Sequence, residues 1–314
     1  MIKRLIRKIA AVASPGAIAA QVPVDGEILL NRAVIVHVGG GLANQMICYR
    51  VGRMLAIANG AMLVLDNHWF RQLVTDSPRN YQLHHFPICP DVSVFSDAAI
   101  KNILRNNPVE VIEREHMPEV PATEIPELFR LSGERRIIFF DFWGAWHLCW
   151  LAERFFEKND MLSELTLNRD TELEERDRRF LEHIEAARNP VAIHVRRGDY
   201  ATHDGGLLLS RDYYNQSIRR MEDSLPEPAF FVFSDDPAWC KENLVASAPL
   251  HHADWNTDST GYRDLFLASQ CRHFILSNES TFSHTIVYLS PQHPDRIVIT
   301  STMNDILRGK PSGK

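Results

Sequence analysis

The segment that most constrains the fold is Ala33–Asp66. AVIVHV at Ala33–Val38 is a nearly unbroken apolar run, as in a parallel strand buried on both faces. Gly39, Gly40 and Gly41 end it. From Asn44 to Asn59, Met46, Val51, Leu55 and Ala58 recur at helical spacing until Asn59-Gly60 stops the run. A second apolar strand, Met62–Leu65, ends at Asp66. Strand, glycine turn, helix and strand within about 35 residues make a right-handed crossover on a parallel sheet.

The same alternation returns in the second half. Asp170–Arg188 is expected as a helix with Thr171 as N-cap and Leu173, Phe180, Leu181 and Ile184 inward. Strand Pro190–Val195, helix Asp212–Asp223, strand Ala229–Phe233, a turn at Ser234–Pro237 and a short helix from Trp239 follow. Helix Asp264–Cys271, strand His273–Leu276, helix Thr281–Leu289 and strand Arg296–Ile299 complete the series. Between the blocks the pattern is weaker: helices near Asp97–Asn106 and Leu148–Phe156, a strand Ile137–Phe142 and a loop Met117–Pro126. The expectation is an α/β protein of two doubly wound Rossmann-type domains facing a central cleft, divided near residue 168.

Composition fits: 314 residues, 45% of them hydrophobic, suffice for two cores. The net charge of −6 offers polyanions no general attraction, so nucleic acid is not expected and a phosphate site needs a local basic cluster. The five cysteines are odd in number and never in a CxxC pair, which points to a cytoplasmic chain without disulfides or zinc. No window of about 18 apolar residues suits a membrane span. Residues 1–30 are read as a basic N-terminal segment, either disordered or amphipathic. In the second case Ile2, Leu5, Ile6 and Ile9 would touch the inner face of the membrane.

Four segments carry chemistry. In GGGLANQ, Gly39–Gln45, the glycines let backbone approach a ligand, and Asn44 and Gln45 bring amides to a helix start, unless Asn44 only caps it. As a dinucleotide fingerprint it lacks its third small residue, since Asn44 stands there, although Asp66 lies where a ribose-binding acid would. In HVRRGDY, His194–Tyr200, alternation sends His194 and Arg196 to one side and Arg197 to the other. An arginine at the carboxyl end of a buried strand suits a phosphate, with a salt bridge to Asp199 as the plainer role for one of the two. FVFSDDP, Phe231–Pro237, carries adjacent acids that are read as a turn rather than a metal site, leaving one for a nucleotide. Ser280-Thr281 opens a helix, where its hydroxyls and backbone N–H groups suit an anion or simply cap the helix. Asn278-Glu279-Ser280 has the form of a glycosylation acceptor, without meaning in a cytoplasmic chain. His84-His85 with Cys89, and His251-His252 with Asp254, lack metal-ligand spacing.

Taken together, GGGLANQMICYRVGRMLAIANGAMLVLD, NYQLHHFPI, DFWGAWHLCWLAERF, HVRRGDY, FVFSDD and DLFLASQCRHFILSNESTFS resemble the bacterial alpha-1,2-fucosyltransferases, glycosyltransferase family eleven, across residues 33 to 300. The HxRRxD element is also similar to that of alpha-1,6- and protein O-fucosyltransferases, so it speaks for fucosyl transfer more than for the linkage. The resemblance implies a GT-B fold, GDP-fucose as donor, a glycan acceptor, inversion and no required metal. It implies an acceptor-side domain over 31–168 and a GDP-fucose-binding domain over 169–314. Arg196 would hold the diphosphate with His194 beside it; Ser280, Thr281 and Phe282 would line the phosphate and nucleoside pocket. Asp264, with Asp235 or Asp236, would meet guanine or ribose; Asn44 would lie near the reacting centre, behind the Gly40-Gly41 loop.

Three positions depart from that pattern: Ala43 for the usual glycine, Glu279 as an extra residue, and His284-Thr285 for a tryptophan pair. Candidates for a general base are Asp199, Asp66 and His37. A fucosyltransferase of another linkage, a nicotinamide oxidoreductase using Gly39, Gly41 and Asp66, and a silent sugar-binding protein are the competing readings.

Overall fold

The computed structural model describes residues 32–71, 79–89, 93–95, 97–119, 122–133, 135–198, 200, 208–277 and 279–301. The N-terminal segment, Asp199 and Asn278 lie outside them. The chain divides into two compact units between Thr166 and Leu167.

The first unit holds strands β1 Ala33–His37, β2 Met62–Asp66, β3 Ser93–Phe95, β4 Val109–Ile112 and β5 Ile137–Phe140. They form a parallel sheet in the order β3-β2-β1-β5-β4, with Ala33 opposite both Met62 and Ile137. Helix α1, Leu42–Asn59, begins two residues before the expected Asn44, because extended Gly41 is its N-cap and accepts the N–H of Gln45 at 3.1 Å. Gly60, left-handed at φ 56°, closes it. Mid-helix Gly52 allows close packing on the sheet: a Cβ there would stand 2.7 Å from Leu63 Cδ1 and from Val36 Cγ2. Helix α2, Asp97–Asn106, covers the other face through Ala99, Ile100 and Ile103 against Ala33, Ile35, Val64 and Ile137. β5 is two residues shorter than expected. Asp141 accepts the N–H groups of Trp143 and Gly144, which starts α3, Phe142–His147, ahead of α4, Cys149–Lys158.

The expected helix Asp170–Arg188 is two helices, α5 Arg169–Glu172 and α6 Glu175–Ala186, separated at buried, extended Leu173. The cap of α5 is Asn168, not Thr171, and Glu174 with Asp177 forms the capping box of α6. The second unit continues with β6 Asn189–Val195, α7 Arg211–Ser224, β7 Pro228–Ser234, α8 Pro237–Asn243 and β8 Leu250–Ala253. Then come α9 Gly261–Ser269, β9 His273–Leu276, α10 Thr281–Leu289 and β10 Val298–Thr300. All pairings are parallel in the order β10-β9-β6-β7-β8. On one face Val191, Ile193 and Val195 meet Tyr214, Ile218 and Met221 of α7; on the other, Phe180 sets its ring edge-on to Phe231 and Phe233 at 5.5 and 5.9 Å. Strand order reverses between β1 and β5 in the first sheet and between β6 and β9 in the second, the places where open α/β sheets bind ligands.

Candidate functional site

β6 and β7 run in a parallel register of 39 residues, His194 opposite Phe233 and Val195 opposite Ser234. The register continues past the strand ends. Arg196 Nη1 donates to Asp235 Oδ2 at 2.5 Å, and Arg197 Nε donates to Asp236 Oδ2 at 3.1 Å. Asp235 Oδ1 also accepts the Arg197 N–H at 2.8 Å, while Asp236 Oδ1 caps α8 by accepting the Trp239 N–H at 3.1 Å. The arginines diverge as alternation requires: Arg196 lies over Tyr200 at 5.4 Å, and Arg197 over Trp239 at 4.1 Å. Among the described residues the partners are the acids of FVFSDDP, each of Asp235 and Asp236 being engaged by an arginine, while the expected pairing with Asp199 lies outside the described residues. Gly198 permits this, since a Cβ there would stand 2.6 Å from Asp235 Oδ2.

The other wall of the β6/β9 reversal is α10. Ser280 is its N-cap by position, yet its side chain makes no capping bond. Thr281 and Phe282 form the first turn, where the helix dipole and the N-terminal N–H groups favour an anion. His194 Nδ1 shares a 2.8 Å hydrogen bond with Ser283 Oγ, and the imidazole stacks on Phe282 at 4.9 Å. Burial, opposed by the Asp235 carboxylate and reinforced by Arg196, pushes His194 down to about 4, so at neutral pH it is an uncharged wall. Ser277, at the end of β9, is a residue the sequence reading missed. Its hydroxyl is buried with no partner among the described residues. Tyr200 Oη donates to the Glu279 carbonyl at 3.0 Å, tying the arginine segment to the turn that carries the extra residue.

Asp264 stands apart from this group, in the first turn of α9, where Asn256 Nδ2 donates to it at 2.7 Å. Burial, tempered by that bond and reinforced by the Asp177 carboxylate, pushes Asp264 up to about 7. Asp177 itself is buried and accepts from Trp255 Nε1 at 2.8 Å.

In the first unit the glycine loop is fixed by Gln45. Its Nε2 donates to the carbonyls of Gly40 at 3.1 Å and Asn80 at 2.8 Å, and its Oε1 accepts the Gln82 N–H at 2.8 Å. Gln45 is fully buried, so its amide serves the fold rather than a sugar. Gly40 has φ +76°, and Asn44 is the third residue of α1 rather than its cap. Where β1 and β2 end side by side, Asp66 is fully buried between two histidines: His37 Nδ1 is 2.9 Å from Oδ2, and His68 Nδ1 is 2.7 Å from each oxygen. Burial alone would raise Asp66, but the hydrogen bonds from His37 and His68 outweigh it and hold the carboxyl below its usual range. His68 was not singled out from sequence; its only signal was its place two residues after Asp66. Among the described residues these three are the one His/Cys/Asp/Glu cluster with metal-ligand proximity. His84 and His85 instead face each other as tilted rings 4.0 Å apart, and His251 stacks on Phe231 at 5.1 Å. Asp254 pairs with Lys241 and Arg176.

Among curated proteins, the chain is 28% identical to the O-antigen biosynthesis glycosyltransferase WbnK of Escherichia coli, over 83% of this chain and 91% of that one. It is 26% identical to an alpha-1,2-colitosyltransferase of Escherichia coli, over 79% and 84%. Among solved structures, the fucosyltransferase NodZ from Bradyrhizobium shares the fold with a TM-score of 0.53 at 14% identity, covering 88% of this chain and 96% of that one. The common architecture is the GT-B-type α/β fold of parallel, doubly wound sheets. Residues 127–310, more than half of the sequence, match the profile of Glycosyl transferase family 11. With the paired arginines and the uncapped helix start both inside that span, the chain belongs to glycosyl transferase family 11.

Proposed function

We propose that the protein is an inverting fucosyltransferase that moves L-fucose from GDP-fucose to a galactoside hydroxyl in alpha-1,2 linkage during glycan or O-antigen synthesis. One observation carries this reading: a preorganised arginine, Arg196 fixed by Asp235, and the start of α10 stand at one topological reversal. A diphosphate there meets a guanidinium and helix N–H groups. Both gain strength as the anomeric C–O bond breaks and its electron pair passes to the departing GDP. A single donor of this kind is worth about 3 to 4 kcal/mol to an oxocarbenium-like step. The acceptor oxygen attacks the opposite face, which inverts the carbon.

In this reading residues 169–314 bind GDP-fucose and 31–168 serve the acceptor. His194, Ser280, Thr281 and Phe282 line the phosphate and nucleoside pocket, Asp264 meets guanine or ribose, and Asn44 lies near the reacting carbon behind Gly40 and Gly41. Asp235 acts by orienting Arg196. No metal takes part, and the enzyme works in the cytoplasm, its basic N-terminal segment being either disordered or a contact to the inner membrane face. A colitosyl donor is the second reading, favoured by the similarity to the colitosyltransferase; colitose is fucose without its 3-hydroxyl. The test supplies GDP-fucose, GDP-colitose or NAD with lactose and reads released GDP and product linkage. Transfer from GDP-fucose to O2 of galactose supports the proposal, whereas exclusive use of GDP-colitose, another linkage, or NAD binding without GDP binding overturns it.

A further inference from the structure

We propose that Trp143 is the platform on which the galactose ring of the acceptor stacks, with Asp141 beside it to accept a sugar hydroxyl; this rests on the transferase reading above. Every residue involved belongs to the first unit. β1 pairs with β5 as far as Val36 and Phe140, so His37 and Asp141 come next, at the carboxyl ends of the strands flanking the β1/β5 reversal. Trp143 follows in the first turn of α3, and Arg114 follows β4, the neighbouring strand.

The sheet holds this corner in place. Asp141 Oδ1 accepts the Trp143 N–H at 2.9 Å and the Gly144 N–H at 3.4 Å, while its Oδ2 makes no hydrogen bond among the described residues. His37, Asp66 and His68 at the same strand ends are bonded to one another, so Asp141 is the carboxylate with an oxygen to spare. Gly144 lets α3 close on β5, since a Cβ there would stand 3.1 Å from Phe140 Cδ2. Half-buried Phe142 meets Trp143 edge-on at 5.5 Å and the half-buried Trp146 at 6.1 Å. Arg114 lies over the Trp143 ring at 4.2 Å. Trp143 is nevertheless 44% exposed. An indole fixed by a cap, an aromatic neighbour and a cation, yet open to solvent, is a preorganised flat apolar surface.

The surroundings select the ligand. Exposed Glu113 and Glu115 flank Arg114, and with Asp141 the carboxylates outnumber the cation, so neither a phosphate nor an anionic lipid surface is favoured. One open ring between half-buried ones has the width of a pyranose, far less than a stable protein interface needs. A pyranose offers an apolar face of C–H groups and an edge of hydroxyls. In galactose the axial 4-hydroxyl leaves the C–H groups of carbons 3, 4 and 5 on one face, whereas in glucose that of carbon 4 turns to the other. Stacked by that face on Trp143, the sugar can donate a hydroxyl from its edge to Asp141 Oδ2.

The experiment uses the full chain with methyl β-D-galactoside and methyl β-D-glucoside as probes. It reads saturation-transfer NMR, the KM and kcat for lactose with GDP-fucose, and the Kd for GDP. In the wild type, saturation is expected to be strongest at the protons on carbons 3, 4 and 5 of the galactoside and about fivefold weaker for the glucoside. Trp143→Ala should weaken the galactoside signal and raise the KM for lactose about tenfold, while kcat and the Kd for GDP stay within twofold. Trp143→Phe, which keeps an aromatic face, should recover most of the loss, a rescue and a split that a packing role would not give. Asp141→Asn keeps the cap of α3, because asparagine caps as well as aspartate, and should raise KM about fivefold. Trp150→Ala, at a 54% exposed tryptophan of α4, should leave KM within twofold. Equal saturation of the two glycosides, or a Trp143→Ala enzyme with KM within threefold of wild type, overturns the proposal. So does sedimentation of the wild type with phosphatidylglycerol vesicles that Trp143→Ala abolishes, which assigns the ring to a membrane. A wild type that binds the galactoside through Trp143 but moves no fucose from GDP-fucose removes the donor reading and supports this subsite. A wild type that moves fucose, with Trp143→Ala unchanged, does the reverse.

Discussion

Arg196 donates through Nη1 to the Asp235 carboxylate, and its planar guanidinium is the part a lysine cannot reproduce. Arg196→Lys is expected to reduce turnover at least about 10²-fold, measured as GDP released from GDP-fucose at saturating acceptor. Two displaced titrations in the second unit, His194 beside Arg196 and Asp264 apart from it, make a pH prediction with opposite signs. His194, at about 4 when folded, binds its proton more weakly than in the unfolded chain. Its neutral form therefore contributes stability that is full above about 6.5 and is lost as pH falls toward 4, by about 3 kcal/mol in all. Asp264, at about 7, binds its proton more tightly when folded, so its contribution is full below the ordinary carboxylate range and is lost as pH rises to 7. Urea melts between pH 4 and 6.5 should show stability rising more steeply with pH in Asp264→Asn than in wild type, and less steeply in His194→Gln.

At the scale of elements, the alternation of strand and helix was legible where apolar runs were long, as in β1, β6 and α1. It was not legible in β4, β8 or the join of α5 to α6. VEVI and LHHA are short edge strands with polar residues, too brief to separate period two from chance, and Leu173 turns inward only because the core gives it a place. The pairing of both arginines with both aspartates was hidden for a different reason. It depends on a strand register across 39 residues, although once HVRR and FSDD are aligned as parallel neighbours the pairs follow directly. Two glycines give tests at this level. Gly52→Ala forces a methyl into Leu63 and Val36 and should cost about 1–3 kcal/mol in a denaturant melt. Gly198→Ala pushes the Asp235 carboxylate off its place, so it should slow transfer by about tenfold or more while stability changes by about 1 kcal/mol or less, a split read by kinetics and melting together.

For the whole molecule, the division into two α/β units was legible from two runs of alternating elements, and the residues of glycosyl transferase family 11 were legible as motifs. The strand orders were not: β5 beside β1 and β9 beside β6 are long-range choices that neither pattern nor spacing records. If GDP binds only the second unit, hydrogen exchange should slow at residues 280–284 and 196–198 on adding GDP, with the amides of the first sheet unchanged. At a hundredfold excess over Kd the nucleotide should add about 2.7 kcal/mol to stability.

The glycine loop before α1 is the segment that looks most pliable on paper, yet Gln45 ties Gly40 to Asn80 and receives Gln82 in return. Its freedom is surrendered once, when the chain folds. If the loop serves the acceptor as proposed, each catalytic cycle starts from a loop already in shape, so acceptor capture would lose no entropy to ordering it, and lengthening the loop would weaken acceptor binding rather than improve its fit.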